Sequence, residues 1–337
     1  MRSWLSREPT PADQLAPRAA RFATIEDVEA RKFGSRALDA LVARLTDDVT
    51  SVRGDSDALP YPLAVLEHLL ATHRHEVLRL KTGVDSVEIA VRFAVAIAFG
   101  LATLRNRPAR VAKALRIVPS RDKDLTFGQW FATGKAIAEL VPSGAWHPAA
   151  DCVRRVFLSS VKKPAVEASI ASVVTLRNRW VGHSPPAMSE DACREEASLV
   201  ERVVREILAS FAPLAKLELV SVNAIDRFES ADVVYNVRCL RGPSEHFPFA
   251  TASTTARLSR EWCYLLGAEP VSLAPFFLAR TCEECRRTEL MVATRPVLGP
   301  PGAEVPMQGL LSHHRTRARV PPHEDLAAVY RALEGGA

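Results

Sequence analysis

Arginine, asparagine and histidine fall close together in the stretch TLRNRWVGH, residues 175–183, as Arg177, Asn178 and His183. An imidazole titrates near neutral pH and moves protons in either direction. A guanidinium stays charged, and its planar fork matches two oxygens of a phosphate. Asn178 is a neutral amide able to hold a turn or orient the ring. These are the residue types for acid–base chemistry beside an anionic group, with no metal required.

Their spacing sets a condition. Arg177 and His183 are six positions apart, and on an unbroken helix, at about 100° per residue, they face different ways. Gly182 offers a way out, because glycine readily takes the left-handed conformation that ends a helix. His183 then swings back beside Arg177, and Pro185 and Pro186 stop any continuation. The pentapeptide TLRNR also occurs at 103–107, where no histidine follows. There Arg105, Asn106 and Arg107 read as the basic last turn of a helix, which complements the helix dipole. The bare spacing of an arginine and a histidine with four to six residues between them also occurs at Arg241–His246 and Arg317–His323. The first leads into a turn and the second into a loop. Only Arg177 has an apolar helix before it, a capping glycine behind it and a long amphipathic helix after that.

The elements that must position these residues are helical from about 60 to 212. Leu63, Leu66, Leu69 and Leu70 recur at helical spacing. The run 86–104, SVEIAVRFAVAIAFGLATL, is the most apolar, yet it contains Glu88 and Arg92 and reads as a buried core helix rather than a membrane span. Phe127, Trp130 and Phe131 share a side, and Pro142 ends that helix. Val166, Ile170, Val173, Val174 and Arg177 share another face, with Pro164 suited to the first turn. Ser189 is the expected N-cap of a helix whose stripe runs Leu199, Val200, Val203, Val204, Ile207, Leu208 and Phe211. After about 215 the period falls towards two, in LELVSVN, DVVYNVRCL, HFPFATAS and TELMVAT. The expected class is α+β: a partly loose leader over 1–58, a helical bundle over 59–213, and a small β-rich domain with a closing helix over 214–337.

The segment RNRWVGH resembles the motif of the HEPN superfamily, helical bundle proteins marked by an arginine, a polar residue, several others and a histidine. The resemblance covers roughly residues 60–212 and is sharpest over 175–183 and the helix that follows. It implies a HEPN-like bundle and a metal-independent endoribonuclease, the effector of a bacterial toxin or phage-defence system. It implies a composite site in which Arg177, Asn178 and His183 of two protomers face one another. The RNA 2′-hydroxyl attacks its own phosphate, leaving a 2′,3′-cyclic end. Arg179 then holds the RNA backbone, with Lys162 and Lys163 as remoter candidates. The expected partners are RNA, a second copy of the chain and a regulatory or defence-system protein, with no cofactor. Other HEPN members lack activity and serve as dimerising or scaffold bundles. On that alternative Arg177 pairs with a carboxylate such as Glu167 or Glu206, and His183 caps its helix.

The rest of the sequence is less specific. A net charge of +5 and a pI of about 9.0 suit an acidic partner such as nucleic acid. Aromatics make up only 7%, which argues against a base-stacking platform as the first expectation. The N-terminal residues carry no apolar signal region, so reduced thiols in a cytoplasm are expected, with no membrane. Cys282 and Cys285 have zinc-knuckle spacing, but a structural site needs four ligands, and Cys263, His313 and His314 are the other candidates. Two reduced cysteines in a β-turn is the simpler reading. RTRARV at 315–320 is the densest basic run and reads as a solvated loop. No phosphate-binding glycine loop or serine nucleophile elbow is present.

Overall fold

A computed structural model of the chain describes residues 57–72, 75–106, 108–115, 124–144, 146–158, 166–182, 189–229, 232–283, 286–295, 304–309, 317–321, 323, 329 and 331, with residues 180–182 described by backbone only. Helices come first and antiparallel strands second, so the chain is α+β. The helices are α1 (Tyr61–Thr72), α2 (Glu76–Arg105), α3 (Pro108–Leu115), α4 (Phe127–Ala138), α5 (Pro148–Phe157), α6 (Val166–Gly182) and α7 (Glu190–Phe211). The strands are β1 (Glu218–Glu229), β2 (Asp232–Cys239), β3 (Phe249–Thr254), β4 (Cys263–Leu266), β5 (Val271–Ser272), β6 (Phe277–Thr281), β7 (Thr288–Ala293), β8 (Val305–Gly309) and β9 (Arg317–Val320).

The caps follow from the sequence. Thr126 and Gln129 make a reciprocal capping box at α4. Ser189 accepts from the Ala192 N–H at 3.2 Å and opens α7. His147 caps α5 through Nδ1, which accepts from the Ala149 N–H at 3.1 Å. Helix α1 ends at Thr72, and α2 starts after His75, which is extended at φ −87° and ψ 125°.

Helix α2 is the apolar run, lengthened at its N-terminal end, and an 18-residue window of it is long and apolar enough to cross a membrane. That window is 78% buried within the protein, as the core-helix reading requires. Its small residues let neighbours close in. A Cβ on Gly83 would lie 2.7 Å from Val200 of α7. A Cβ on Gly100 would lie 2.2 Å from the Ser272 carbonyl oxygen of β5. In α4, Gly134 takes the ring of Phe157 in the same way.

The strands form two sheets, one of order β3-β2-β1-β4-β5 and one of order β6-β7-β8-β9. All pairings are antiparallel. Ser56–Ala337 is one compact unit, and residues on both sides of position 213 share one apolar core. Phe93 of α2 packs on Phe211 and Phe277, at ring separations of 6.2 and 5.5 Å. Phe99 and Trp130 meet Phe276 at 5.3 and 5.8 Å. The Tyr61 N–H donates to the Leu240 carbonyl at 2.9 Å, tying the start of α1 to the end of β2.

One expectation needs correction. Arg317–Val320 is an edge strand, not a loop. It alternates Arg317 and Arg319 with Ala318 and Val320, and Val320 is buried, which fits the charged edges that discourage further pairing. The short segments CYLL and FLART, not singled out from the sequence, are also strands, β4 and β6. The expected closing helix, 323–335, lies mostly outside the described residues. His323 itself is buried, 3.2 Å from the Tyr264 hydroxyl.

Two tests follow. Gly100→Ala improves helix propensity by about 1 kcal/mol, but it drives a methyl into fixed backbone at a cost of about 2 kcal/mol or more. The net loss is measured by denaturant unfolding, and an unchanged or raised midpoint contradicts the packing. The second test concerns His147. Desolvation lowers its pKa, opposed by Glu269 and reinforced by Arg105. The unfolded chain therefore binds more protons than the folded one as the pH falls from about 6.5, and stability falls through that window. Between about pH 7.5 and pH 5 the wild type should lose more melting temperature than His147→Asn, which keeps a capping acceptor. Equal losses contradict the assignment.

Candidate functional site

Helix α6 buries Ile170, Val173 and Leu176. Arg177 lies seven positions after Ile170 and four after Val173, so it extends the inward stripe. Its stem follows the bundle and its guanidinium reaches the middle of α2. Arg177 Nε lies 3.1 Å from Glu88 Oε2. The other Glu88 oxygen accepts from Arg92 Nη2 at 2.5 Å. The Glu88 side chain is 10% exposed and that of Arg177 28%. Arg92 in turn lies over the Trp130 ring, 5.3 Å from its centroid. One carboxylate inside the bundle thus holds two guanidinium groups, one from its own helix and one from α6.

The flanking residues point elsewhere. Asn178 and Arg179 are exposed. Arg179 Nη2 lies 3.6 Å from Glu196 Oε1 on α7. Helix α6 includes Gly182 as its last residue, so the helix does not stop ahead of this glycine as a left-handed C′ cap would require. His183 lies outside the described residues, as do Lys162, Lys163 and Pro164. The Arg177 contacts correct the carboxylate named from sequence. Glu167 pairs with Lys135, and Arg177 pairs with Glu88 instead of Glu167 or Glu206. Sequence reasoning used Glu88 only to argue against a membrane span. The available signal was a Glu–Arg pair at i and i+4 inside an otherwise apolar helix, since a charge there must find partners.

The first copy of the pentapeptide is a helix end. Arg105 lies in the last turn of α2, 2.5 Å from Glu269, with its guanidinium 4.6 Å from the Trp146 ring centroid. Asn106 caps the helix and donates to the Ala102 and Leu140 carbonyls at 3.0 and 2.9 Å. Arg107 lies outside the described residues.

Cys282 closes a turn between β6 and β7, its N–H donating to the Arg287 carbonyl at 2.8 Å. Its knuckle partner Cys285 lies outside the described residues, as do His313 and His314. Among the described residues, no three His, Cys, Asp or Glu side chains cluster in a way that holds a metal ion. Cys263 is fully buried at the centre of the sheet junction, where desolvation raises its thiol pKa. The Cys152 thiol in α5 is pushed up to about 12, chiefly by burial. Neither is a nucleophile at neutral pH.

Comparison with protein families, with curated proteins and with solved structures gives no match.

The Glu88 cluster orders two variants. Glu88→Gln leaves two guanidinium groups facing a neutral amide and should cost about 2 kcal/mol. Arg177→Met leaves Glu88 with Arg92 and should cost less. Urea unfolding of both variants checks the order, and a larger loss for Arg177→Met contradicts the shared-carboxylate geometry.

Proposed function

We propose that the chain is a HEPN-like, metal-independent endoribonuclease that acts as a dimer, as the effector of a bacterial toxin or phage-defence system. The observation that carries this reading is the setting of Arg177. It lies on the core-facing stripe of α6, is tethered by a buried carboxylate, and keeps 28% of its side chain exposed. A guanidinium held in this way is oriented before an anion arrives, so little ordering cost remains when phosphate oxygens bind. The helix ends at Gly182, and His183 follows directly.

In this reading His183 accepts the proton of the RNA 2′-hydroxyl as that oxygen attacks the adjacent phosphorus. An imidazolium, from the partner protomer in a composite site, protonates the departing 5′-oxygen. Arg177 offsets the charge that builds on the phosphorane, and Asn178 steadies the turn. Arg179, exposed on the same helix, meets the RNA backbone.

The Glu88 pair also supports a second reading. An arginine whose ion-pair partner is a buried carboxylate has a structural task, so the bundle could serve as a non-catalytic dimerisation or scaffold module.

RNA cleavage in EDTA separates the two. For the nuclease, Arg177→Ala and His183→Ala each lose about 100-fold or more in rate while remaining folded and dimeric, and the wild-type products end in 2′,3′-cyclic phosphate. A wild-type dimer that leaves RNA intact supports the scaffold.

A further inference from the structure

The two sheets meet at Glu261. Its N–H donates to the Val222 carbonyl at 2.7 Å, and its own carbonyl accepts from the Ala279 N–H at 2.8 Å. The Ser221 hydroxyl donates to the same carbonyl at 3.1 Å. Glu261 has φ of 68°, a left-handed conformation that a residue with a side chain holds only where its surroundings impose it. Beside this joint lies a small, partly open recess of about 50 Å³, lined by Arg238, Arg260, Arg280, Asn223, Thr281 and Thr288 among others.

The charges around the recess do not balance. Among the described lining residues, Glu261 is the one carboxylate. Arg280 pairs with exposed Glu283 at 3.3 Å. Among the described residues, neither Arg238 nor Arg260 has a carboxylate partner. Such a recess favours an anion, and the hydroxyls of Thr281 and Thr288 and the amide of Asn223 add neutral donors.

The outward face of the sheet continues from it. Arg238 and Phe249 are cross-strand neighbours, and the guanidinium lies 4.8 Å from the ring centroid. Phe249 is 58% exposed. By strand alternation Asn236, Thr251 and Ser253 share this face, and Asn223 donates to Asn236 at 3.4 Å. An exposed ring beside an anion recess, on a shallow polar sheet, suits an unpaired base next to its own phosphate. A duplex hides its base faces, which an exposed ring cannot reach.

We infer that the recess binds one phosphate of a single-stranded polynucleotide, with Phe249 stacking on the neighbouring base. The identification of the strand as RNA rests on the proposed function, and the β-rich half then holds the substrate strand.

The test is binding of a fluorescent 2′-O-methyl oligouridine by the full chain in EDTA. That strand has no 2′-hydroxyl to attack, so its binding is independent of cleavage. Arg238→Ala with Arg260→Ala should weaken binding at least tenfold and lower the salt slope by about 0.7, the value for one single-strand phosphate no longer neutralised. Phe249→Ala should weaken it by about tenfold with the slope unchanged. Arg260→Glu, a change at an exposed position, should abolish binding at the recess if the double variant misfolds. Variants that bind as the wild type does overturn the inference, as does a wild type that prefers a hairpin duplex of the same length. Binding without any RNA cleavage upholds this site and counts against the nuclease alone.

Discussion

Gly100 places the backbone of α2 against the Ser272 carbonyl so closely that even a methyl group would overlap it. That approach fixes where the helical layer sits on the five-stranded sheet. Glu88 lies on the same helix, twelve residues earlier, about 18 Å along the axis. The rod that docks on the sheet therefore also carries the carboxylate that holds Arg177. Phe93, between the two, reaches Phe211 and Phe277 and links α7 and β6 to the same rod. A shift of α2 would disturb the sheet packing and the arginine together.

The Glu88 cluster shows how a charge is kept inside such a rod. Burying a lone carboxylate costs several kcal/mol. Two guanidinium groups offset that cost here, and Arg92 also lies over the Trp130 ring. The arrangement links α2 to α6 with a directional interaction that apolar packing alone lacks. It orients Arg177 without enclosing it. A fixed yet partly exposed cation suits both anion recognition and a bundle surface that meets a second copy.

The helices are legible in the sequence because their signals are local. Thr126 with Gln129, Ser189 with Ala192, and the stripe from Val200 to Phe211 each need only a few neighbouring residues. The inward direction of Arg177 is legible for the same reason, from its spacing after Ile170 and Val173. Its partner is not. The meeting of Glu88 with Arg177 depends on how α6 crosses α2, which no window of sequence contains. The β9 strand escapes a sequence reading because charges on a sheet edge look like a solvated loop, and β4 and β6 because elements of four or five residues carry no clear period. The aromatic content argues against base stacking, yet a percentage does not contain position, and Phe249 lies exposed beside Arg238.

The apolar girdle of α2 also bears on synthesis. Residues 87–102 have almost no polar side to turn towards water, and Ser272, which covers Gly100, is made 172 residues later. At about 5–20 residues per second, that leaves the helix without its final cover for about 10–30 s on the ribosome. The earlier bundle helices shield part of it, but the face meant for β5 and β6 has to wait. A nascent chain of this kind is a natural client for a holding chaperone, and a message truncated before β5 leaves a sticky fragment in place of a working half.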